Sequence, residues 1–573
     1  MTKIKDPIYG YVELEDSILD VIDTPYFQRL RDIIQTSYTS LFPTSVHNRF
    51  SHSLGVYFLG QKAIDSLFKN FRAIHGNDEL NEAKELEIKK TFLMACLLHD
   101  VGHSPFSHTG EEFYFDEKVN NGTVDKPEYT EDSKLTKDLD DFLNDEEYRS
   151  DIIKQSFCSP KPHEFMSAYL GLKVFLSKKD KHIQSFFVRC IIGLQYYDCK
   201  TLEKQLLNAC IELLNSSTID VDKLDYLIRD SYMTGFYSIN IDYERLLAGI
   251  SLHELETETK NNIIQISKPD GSRETCKHVF VAFKKQSLSV LENVILANDL
   301  ERKWIQSHPV VLYSSFLLQI IIHNINEKIT DGLPNKHLFS YDSLTEEGVT
   351  IGNEHIRLLS DSDITFLAKN KYYDNWSSEY FNRSTWRHPL WKSQTEFQML
   401  NENLSNQALE KLIKIIDGIE KDLLSGEYGT NYINTELLDS YSKQLETGTN
   451  VISSTENNSS KKSLTAIKTQ LECKIKFLTF LFEYCNEKDA SFDFVLVTNK
   501  QFLSGLNKKD FKNIQVQFDK FGQNYVLSRA LPILGSELFN EKYFYIYNKE
   551  VTEKKKIDVV DFCKRMDAFA ACL

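Results

Sequence analysis

The chain has 573 residues, 41% hydrophobic and 26% charged, a composition typical of a globular protein and unlike that of disordered, collagenous or membrane-spanning chains. Its length is enough for a large core and predicts roughly three to four domain-sized units at most. The 83 acidic and 67 basic residues give a net charge of −16. This charge disfavours strong nucleic-acid binding, whereas a small anionic ligand held by a few local cations or a metal remains compatible with it.

The cysteines and the apolar segments indicate where the protein works. Its ten cysteines include no CxxC pair, so neither a zinc knuckle nor a disulfide scaffold is predicted. The N-terminus lacks an apolar signal segment, and the most apolar stretch, residues 309–322, is interrupted by polar residues and is too short for a bilayer. We therefore expect a cytoplasmic protein with no membrane partner.

Helical periodicity dominates the chain. Apolar residues recur every three or four positions around 54–67, 92–98, 202–214 and 466–483, and the chain contains only 12 prolines. Short runs of β-branched and aromatic residues predict strands at 262–267, 278–283, 492–498 and 543–547. The sequence predicts a mainly α fold with small β elements and an α+β C-terminal region.

Breaks in composition suggest the domain order. Residues 1–330 are expected to form one domain, within which an acid-rich segment at 111–162 is interpreted as an inserted, solvated loop or lid. A helical extension is expected at 331–447, followed by a polar linker at 448–463 and the α+β region at 464–573.

Histidines are concentrated in one part of the chain, and three of them lie in LLHDVGHSPFSH at residues 97–108. His99 and Asp100 come where a helical stripe ends, before the helix breakers Gly102 and Pro105. An imidazole next to a carboxylate is the ligand mixture of a hydrolytic divalent metal such as Mn, Fe, Zn or Mg. A histidine-aspartate dipeptide alone is a weak signal, so the surrounding motifs decide its meaning.

Two further residues complete a pattern. His52 lies at the start of one helical stripe and Asp222 at the start of another. Along the chain, His99 follows His52 by 47 positions, Asp100 is next to His99, and Asp222 follows Asp100 by 122 positions. This spacing resembles the ligand pattern of the HD superfamily of metal-dependent phosphohydrolases.

Five strings resemble a narrower family, the HD-domain deoxynucleoside triphosphate triphosphohydrolases: DPIYGYVELED, IDTPYFQRLRDIIQ, FPTSVHNRFSHSLGV, HDVGHSPFSH and IDVDKLDYLIRDSYMTG. The resemblance is dense over residues 5–110 and 215–250 and implies a helical HD-domain core. It implies that His52, His99, Asp100 and Asp222 are the ligands of one divalent metal, either Mn, Mg, Fe or Zn.

The resemblance also implies catalytic residues. His108, supported by Glu111, corresponds to the histidine that acts at the α-phosphate, where an imidazole can protonate the departing oxygen. His103 and His163 correspond to further active-site histidines, although His163 lies beyond the acidic segment, which does not align. The alternative interpretation of His103 and His108 is a pair of hydrogen-bonded imidazoles in a buried turn.

Substrate contacts follow from the same resemblance. Arg49 and Lys223 are expected to meet phosphate oxygens, and Tyr226 to close over the sugar. Gln35 and Asp230 are expected to hold the deoxyribose and its 3′-hydroxyl. Core packing is the alternative for Tyr226. The family further implies a homo-oligomer, with dNTP as substrate and an allosteric nucleotide between subunits.

The sequence departs from the family where a triphosphate-binding arginine and a nearby tyrosine are usual. Asn298 and Gln306 stand at those positions, although Arg302 or Lys303 is available one helical turn further on. The leading hypothesis is hydrolysis of dNTPs to deoxynucleoside and inorganic triphosphate, serving either dNTP-pool balance or antiviral defence. The alternatives are an HD phosphohydrolase for another nucleotide (a ribonucleotide, a monophosphate or a cyclic dinucleotide) and a nucleotide sensor without catalysis.

Overall fold

The computed structural model describes residues 2–76, 80–114, 134–155, 161–216, 218–236, 240–255, 266–267, 273–274, 278–330, 338–351, 353–454, 458–500, 514–518, 524–526, 543–549 and 556–572. The chain divides into two compact units. Unit 1 comprises residues 1–301, 329–363 and 505–537, and unit 2 comprises residues 302–328, 364–504 and 538–573.

Twelve α-helices are described up to residue 301: α1 (Asp16–Ile22), α2 (Pro25–Gln28), α3 (Arg49–His75), α4 (Glu82–Leu98), α5 (Lys134–Leu143), α6 (Glu146–Lys154), α7 (Pro162–Phe175), α8 (Lys181–Ile192), α9 (Leu202–Leu214), α10 (Val221–Thr234), α11 (Tyr243–Ala248) and α12 (Leu288–Glu301). Short 3-10 turns lie at Arg29–Asp32, Ser107–Thr109 and Glu111–Phe113. The apolar faces of α3, α4, α7, α8 and α9 meet in one continuous core.

Side-chain caps determine where the helices that matter for the site begin. Asn48 accepts a hydrogen bond from the Ser51 amide at 3.0 Å and starts α3. Asp220 accepts one from the Lys223 amide at 2.8 Å and starts α10. Each cap satisfies an otherwise unpaired amide of the first turn, so the register of the first turn is fixed by sequence.

Unit 1 also holds small sheets. The strands β1 (Thr2–Asp6) and β2 (Gly10–Leu14) form an antiparallel hairpin. A four-stranded sheet has the order β12-β11-β6-β3, antiparallel except for the parallel pair β11 and β6, and is built from β3 (Ile250–Leu255), β6 (His278–Lys284), β11 (Gln515–Gln517) and β12 (Asn524–Val526). Two further pairs are β4 (Ile266–Ser267) with β5 (Arg273–Glu274), and β7 (Val349–Ile351) with β8 (Glu354–Ile356).

From residue 302 onward the described helices are a π-helix at Arg302–Gln306 and α13 (Pro309–Thr330), α14 (Asp361–Lys369), α15 (Asn375–Phe381), α16 (Gln394–Leu400), α17 (Asn406–Ser425), α18 (Thr435–Ser454), α19 (Asn458–Lys488) and α20 (Val559–Ala571). Unit 2 contains an antiparallel sheet of order β10-β13-β9, made of β9 (His388–Pro389), β10 (Phe494–Thr498) and β13 (Phe544–Asn548).

The mainly α prediction is confirmed, and strands occur within all four predicted segments, although residues 262–265 lie outside the described ones. The apolar segment expected at 309–322 is longer in the structure than the sequence predicted. The helix α13 continues to Thr330 and, within the described part of the chain, is long and apolar enough to cross a bilayer. However, 83% of its most apolar window is buried inside the protein, as in a core helix.

Three expected segments differ. Within the expected linker at 448–463, the described residues 448–454 end α18 and residues 458–463 begin α19, since serine, threonine and asparagine reduce helix stability only slightly. Residues 331–447 are not one extension, because the segment up to residue 363 belongs to unit 1. The described second half of the acidic segment forms α5 and α6, with Leu139, Leu143 and Tyr148 buried, rather than a solvated loop.

Candidate active site

Three helix ends meet in unit 1 and place the four expected metal ligands. The helix α4 ends at Leu98, so His99 caps it and Asp100 follows in the turn, as the sequence predicted. His52 lies in the first turn of α3, and Asp222 lies in the first turn of α10. Helix ends can direct side chains from distant parts of a chain to one point without distorting any helix.

The side chains of these residues converge. The Nε2 atom of His52 lies 3.0 Å from Oδ1 of Asp222 and 3.4 Å from Oδ2 of Asp100. The Nε2 atom of His99 lies 3.5 Å from Oδ1 of Asp100 and 3.6 Å from Oδ1 of Asp222. The two Nε2 atoms are 3.3 Å apart. The structure therefore brings all four residues together.

The far sides of both imidazoles are held in place. The Nδ1 of His52 lies 2.7 Å from Oδ2 of Asp225, and the Nδ1 of His99 lies 2.8 Å from the carbonyl oxygen of Cys96. Each Nδ1 faces an acceptor oxygen, so Nε2 is the ring nitrogen directed at the shared point. Hydrogen bonds at the ring nitrogen that faces away from a metal orient histidine ligands in metal sites.

The electrostatics of the centre favour positive charge. Burial alone would lower the pKa of His52, but hydrogen bonds to the carboxylates of Asp222 and Asp225 outweigh it and raise the pKa to about 9. Burial would likewise raise the pKa of Asp100, yet the guanidinium of Arg49 and the imidazole of His99 hold it well below its usual range. The carboxylate thus stays ionised and available to a cation.

These donors fit a divalent metal. Two imidazole nitrogens and two carboxylates are a ligand set accepted by Mn, Mg, Fe and Zn, and His52, His99 and Asp100 each place a ligand atom within 4.8 Å of the others. The fixed Nδ1 contacts supply the outer shell that such a site needs. The residues present therefore match the metal that the sequence implied, without deciding between these elements.

A second cluster surrounds Glu111. Its Oε1 atom lies 2.7 Å from Nδ1 of His163, 2.9 Å from Nδ1 of His108 and 3.1 Å from Nδ1 of His103. His103 and His163 stack with ring centroids 4.0 Å apart. All four residues expected to be catalytic are therefore brought together, including His163, which reaches the cluster from the start of α7.

His103 joins the two clusters. Its Nε2 atom lies 3.1 Å from Oδ1 of Asp100, while its Nδ1 faces Glu111. Burial, together with Arg49 and His163, lowers the pKa of His103 to about 3, so its ring is neutral near pH 7. The imidazole of His108 differs in being 40% exposed. His108 is therefore the histidine of this cluster that an incoming ligand can reach most directly.

Among the expected substrate residues, Arg49 and Gln35 border the centre. Arg49 is buried and donates to Oδ2 of Asp100 at 2.7 Å and to Oγ of Ser107 at 2.8 Å. Gln35 is also buried, and its side-chain oxygen Oε1 has no hydrogen-bond donor among the described residues. An unpaired buried acceptor is costly unless a ligand or water supplies a donor.

The other three expected substrate residues have protein partners. The ammonium of Lys223 contacts Asp220 and donates to the carbonyl of Ser216 at 2.6 Å. Asp230 lies 2.7 Å from Nε2 of His47, with both side chains buried. Tyr226 is partly buried and packs against the hydrophobic core, which agrees with the packing alternative considered for it.

Several residues of the site were not expected from sequence. Asp225, which orients His52, lies one helical turn beyond Asp222, and that spacing was the available signal. His47 partners Asp230, and its place in the histidine-rich segment pointed to it. Burial opposes the charge on Lys161, yet Glu164, Asp222 and Glu111 raise the pKa of this lysine.

The residues at the two family departures are described as well. Asn298 is buried within α12, and Gln306 ends the π-helix at Arg302–Gln306.

Comparison with known proteins agrees with this geometry. The HD domain family model matches residues 49–170, which include His52, both clusters' histidines and Asp100. Asp222 lies outside the match, and its place in the centre comes from the structure.

Similarity to individual proteins extends over more of the chain. The chain is 25% identical over 377 residues to the uncharacterized protein YwfO of Bacillus subtilis, and the match covers 65% of this chain and 66% of YwfO. It is 33% identical over 248 residues to the deoxynucleoside triphosphate triphosphohydrolase SAMHD1 homolog of Dictyostelium discoideum, and 30% identical over 251 residues to SAMHD1 of Xenopus laevis. These matches cover 43% of this chain and 38% and 36% of those proteins. The chain thus spans between about a third and two thirds of the length of these relatives.

Proposed function

We propose that this protein is a metal-dependent triphosphohydrolase that converts deoxynucleoside triphosphates to deoxynucleoside and inorganic triphosphate. The observation that carries the proposal is the convergence of His52, His99, Asp100 and Asp222 next to the pair His108 and Glu111. Similarity over the HD region to proteins named deoxynucleoside triphosphate triphosphohydrolase supports the choice of substrate.

The metal-binding part of the site is assigned to the four converging residues. A divalent ion held there supplies Lewis-acid chemistry, which lowers the pKa of water and offsets negative charge on phosphate oxygens. Arg49 lies at the edge of this centre, bound to Asp100, where its guanidinium adds positive charge opposite a triphosphate.

The proton needed by the leaving group is assigned to His108. Cleavage at the α-phosphorus releases the 5′-oxygen of the nucleoside, and an alkoxide leaves poorly unless it is protonated. The Nδ1 of His108 is held by Glu111 at 2.9 Å, so its Nε2 is free to carry that proton. Burial lowers the pKa of His108, against the Glu111 carboxylate, which raises it, and an anionic triphosphate next to the ring favours the protonated form.

Recognition of the sugar is assigned to Gln35 and to Asp230, whose carboxylate pairs with His47. The unpaired Oε1 of Gln35 is a buried acceptor suited to a hydroxyl donor such as the deoxyribose 3′-hydroxyl. Tyr226 packs on the core near the start of α10 and is proposed to limit space at the 2′-position.

The proposal is tested by product analysis. The purified full chain is incubated with each dNTP and with Mg²⁺ or Mn²⁺, and the products are separated by ion-exchange chromatography. Equal amounts of deoxynucleoside and inorganic triphosphate are expected, with an Asp100→Ala variant inactive. Release of monophosphate with pyrophosphate, or no turnover with any dNTP, contradicts the proposal.

A second candidate is an HD phosphohydrolase for a different nucleotide. It is favoured by one observation, the presence of Asn298 and Gln306 where the similar enzymes usually carry an arginine and a tyrosine. Parallel assays with ribonucleoside triphosphates, nucleoside monophosphates and cyclic dinucleotides discriminate the two candidates. Faster turnover of any of these than of every dNTP supports the second.

A further inference from the structure

The turn that connects His103 to His108 has an unusual backbone. Phe106 and Ser107, neither of them glycine, have positive φ angles of 58° and 53°. The left-handed region is sterically unfavourable for residues other than glycine, so such a turn persists only where its surroundings over-determine it. The residues that hold this turn therefore control where the two histidines point.

One carboxyl group binds both this turn and the backbone of Ile34, which precedes Gln35. Asp361 is buried, and its Oδ1 accepts a hydrogen bond from the amide of Phe106 at 2.6 Å. Its Oδ2 accepts one from the amide of Ile34, the residue before Gln35, at 2.8 Å. A single side chain thus fixes the distance between the strained turn and the segment that carries Gln35.

The residues next to Asp361, Leu359 and Ser360, make further contacts with the chain before Gln35. Arg29 donates through Nε to the carbonyl of Leu359 at 2.6 Å and through Nη1 to the carbonyl of Val101 at 3.3 Å, and it also contacts the carbonyl of His103. Ser360 donates to Oδ2 of Asp32 at 2.7 Å. Residues 359–361 are therefore anchored to Arg29 and Asp32 in the segment before Gln35, and Arg29 in turn contacts the chain just before the turn.

The turn also contacts Arg49 through the Ser107 hydroxyl. The hydroxyl of Ser107 donates to the carbonyl of Ile34 at 2.5 Å and accepts from Nε of Arg49 at 2.8 Å. Arg49 in turn binds Asp100. Asp361 is thus connected to the metal centre without touching any of the four converging ligands.

We infer that Asp361 is a positioning residue: it holds the turn at Phe106 and Ser107 against the Gln35 segment and so keeps His103 and His108 in their working orientation. The inference rests on the proposed function for its catalytic consequence. The underlying restraint is a property of the fold and can be measured without turnover.

The Asp361→Asn variant tests this role, because it preserves volume but replaces one acceptor oxygen with an amino group that opposes a backbone N–H. The matched control is Asp363→Asn, whose carboxylate accepts from the amide of Ser360 at 2.8 Å in the same segment but binds neither wall of the site. Burial raises the pKa of Asp361 to about 7 against the effect of its two amide donors, so the assays are run at pH 8.

We expect Asp361→Asn to lower kcat about 10- to 100-fold, the scale of a small misplacement of catalytic groups, with bound metal close to that of the wild type. Asp363→Asn should retain wild-type kcat. A merely structural role would reduce the folded fraction and lower metal content in step with kcat. Unchanged kcat in Asp361→Asn, or equal losses in both variants, overturns the inference.

Hydrogen exchange separates this inference from the proposed function. In Asp361→Asn the amides of Ile34 and Phe106 should exchange faster than in the wild type, and in Asp363→Asn they should not. If the wild type hydrolyses no nucleotide, the proposed function fails and the exchange rates alone decide the positioning role. Exchange rates equal to wild type in Asp361→Asn overturn it.

Discussion

The Nδ1 atom of His52 lies 2.7 Å from Oδ2 of Asp225, and both side chains are buried. Asp225 also accepts hydrogen bonds from the Tyr9 hydroxyl at 2.7 Å and from Nε of Arg229 at 2.9 Å. The α10 helix therefore contributes two carboxylates to the centre, Asp222 facing the metal side of His52 and Asp225 facing its far side.

Asp225→Asn should lower the affinity for Mn²⁺ about 10- to 100-fold, the usual cost of losing an outer-shell partner of a histidine ligand. The reason is that the amide binds the imidazole Nδ1 less strongly and no longer fixes its tautomer. Isothermal titration of the metal-free protein with Mn²⁺ measures the change. Asp6→Asn is the control, since Asp6 also pairs with Arg229, at 3.0 Å, but does not contact His52. Equal losses in both variants would contradict this role.

Gly55→Ala should weaken metal binding by displacing Asp225, the partner of His52. A Cβ at Gly55 in α3 would overlap the carboxylate of Asp225 and the guanidinium of Arg229. Gly60→Ala, one and a half turns further along α3, would instead crowd Cys96. Both variants should lower the melting temperature through overpacking. Only Gly55→Ala should also bind Mn²⁺ more weakly than the wild type when both proteins are folded. Retained affinity in folded Gly55→Ala would show that the centre does not need this close approach.

His108→Gln should lower kcat about 100- to 10,000-fold, the range expected for loss of a general acid, without changing metal content. Its imidazole binds Glu111 and is not among the four converging ligands. Steady-state kinetics and elemental analysis of the same preparation provide both numbers. His182→Gln removes an exposed imidazole from α8 and should leave kcat unchanged. A His108→Gln enzyme with wild-type kcat would remove His108 from the chemistry.

Glu212 in α9 gives a prediction about pH and stability. Burial raises the pKa of its carboxyl from 4.5 to about 7, against the amide of Val281, which donates to it at 3.2 Å. Between these two pH values the unfolded chain ionises while the folded one stays protonated, so the free energy of unfolding falls as pH rises, by about 3 kcal/mol at most. Glu212→Gln should lack this slope, and urea denaturation from pH 4.5 to 8 measures it. The exposed Glu203→Gln should retain it. Parallel curves for wild type and Glu212→Gln would contradict the prediction.

Much of the site could be predicted from sequence because its residues lie in short local motifs. His99 and Asp100 are adjacent, and His103, His108 and Glu111 follow within one turn-rich segment, so their proximity needs no knowledge of tertiary structure. The helix caps at Asn48 and Asp220 are equally local. Helices with strong periodicity were predicted for the same reason.

The features that sequence did not reveal depend on distant contacts. Asp361 contacts Ile34 and Phe106, which precede it by 327 and 255 positions in the chain. The division into two units is equally non-local, because residues 329–363 return to unit 1. Segment 448–463 was misjudged since composition alone does not reveal that neighbouring helices extend into it.

The most direct test of the account is to locate the metal. Crystals of the full chain grown with Mn²⁺ and measured near the manganese absorption edge should give an anomalous peak bounded by the side chains of residues 52, 99, 100 and 222. His52→Ala crystals should lack that peak. A wild-type peak elsewhere, or none at this position when metal is bound in solution, would contradict the claim that these side chains share one cation.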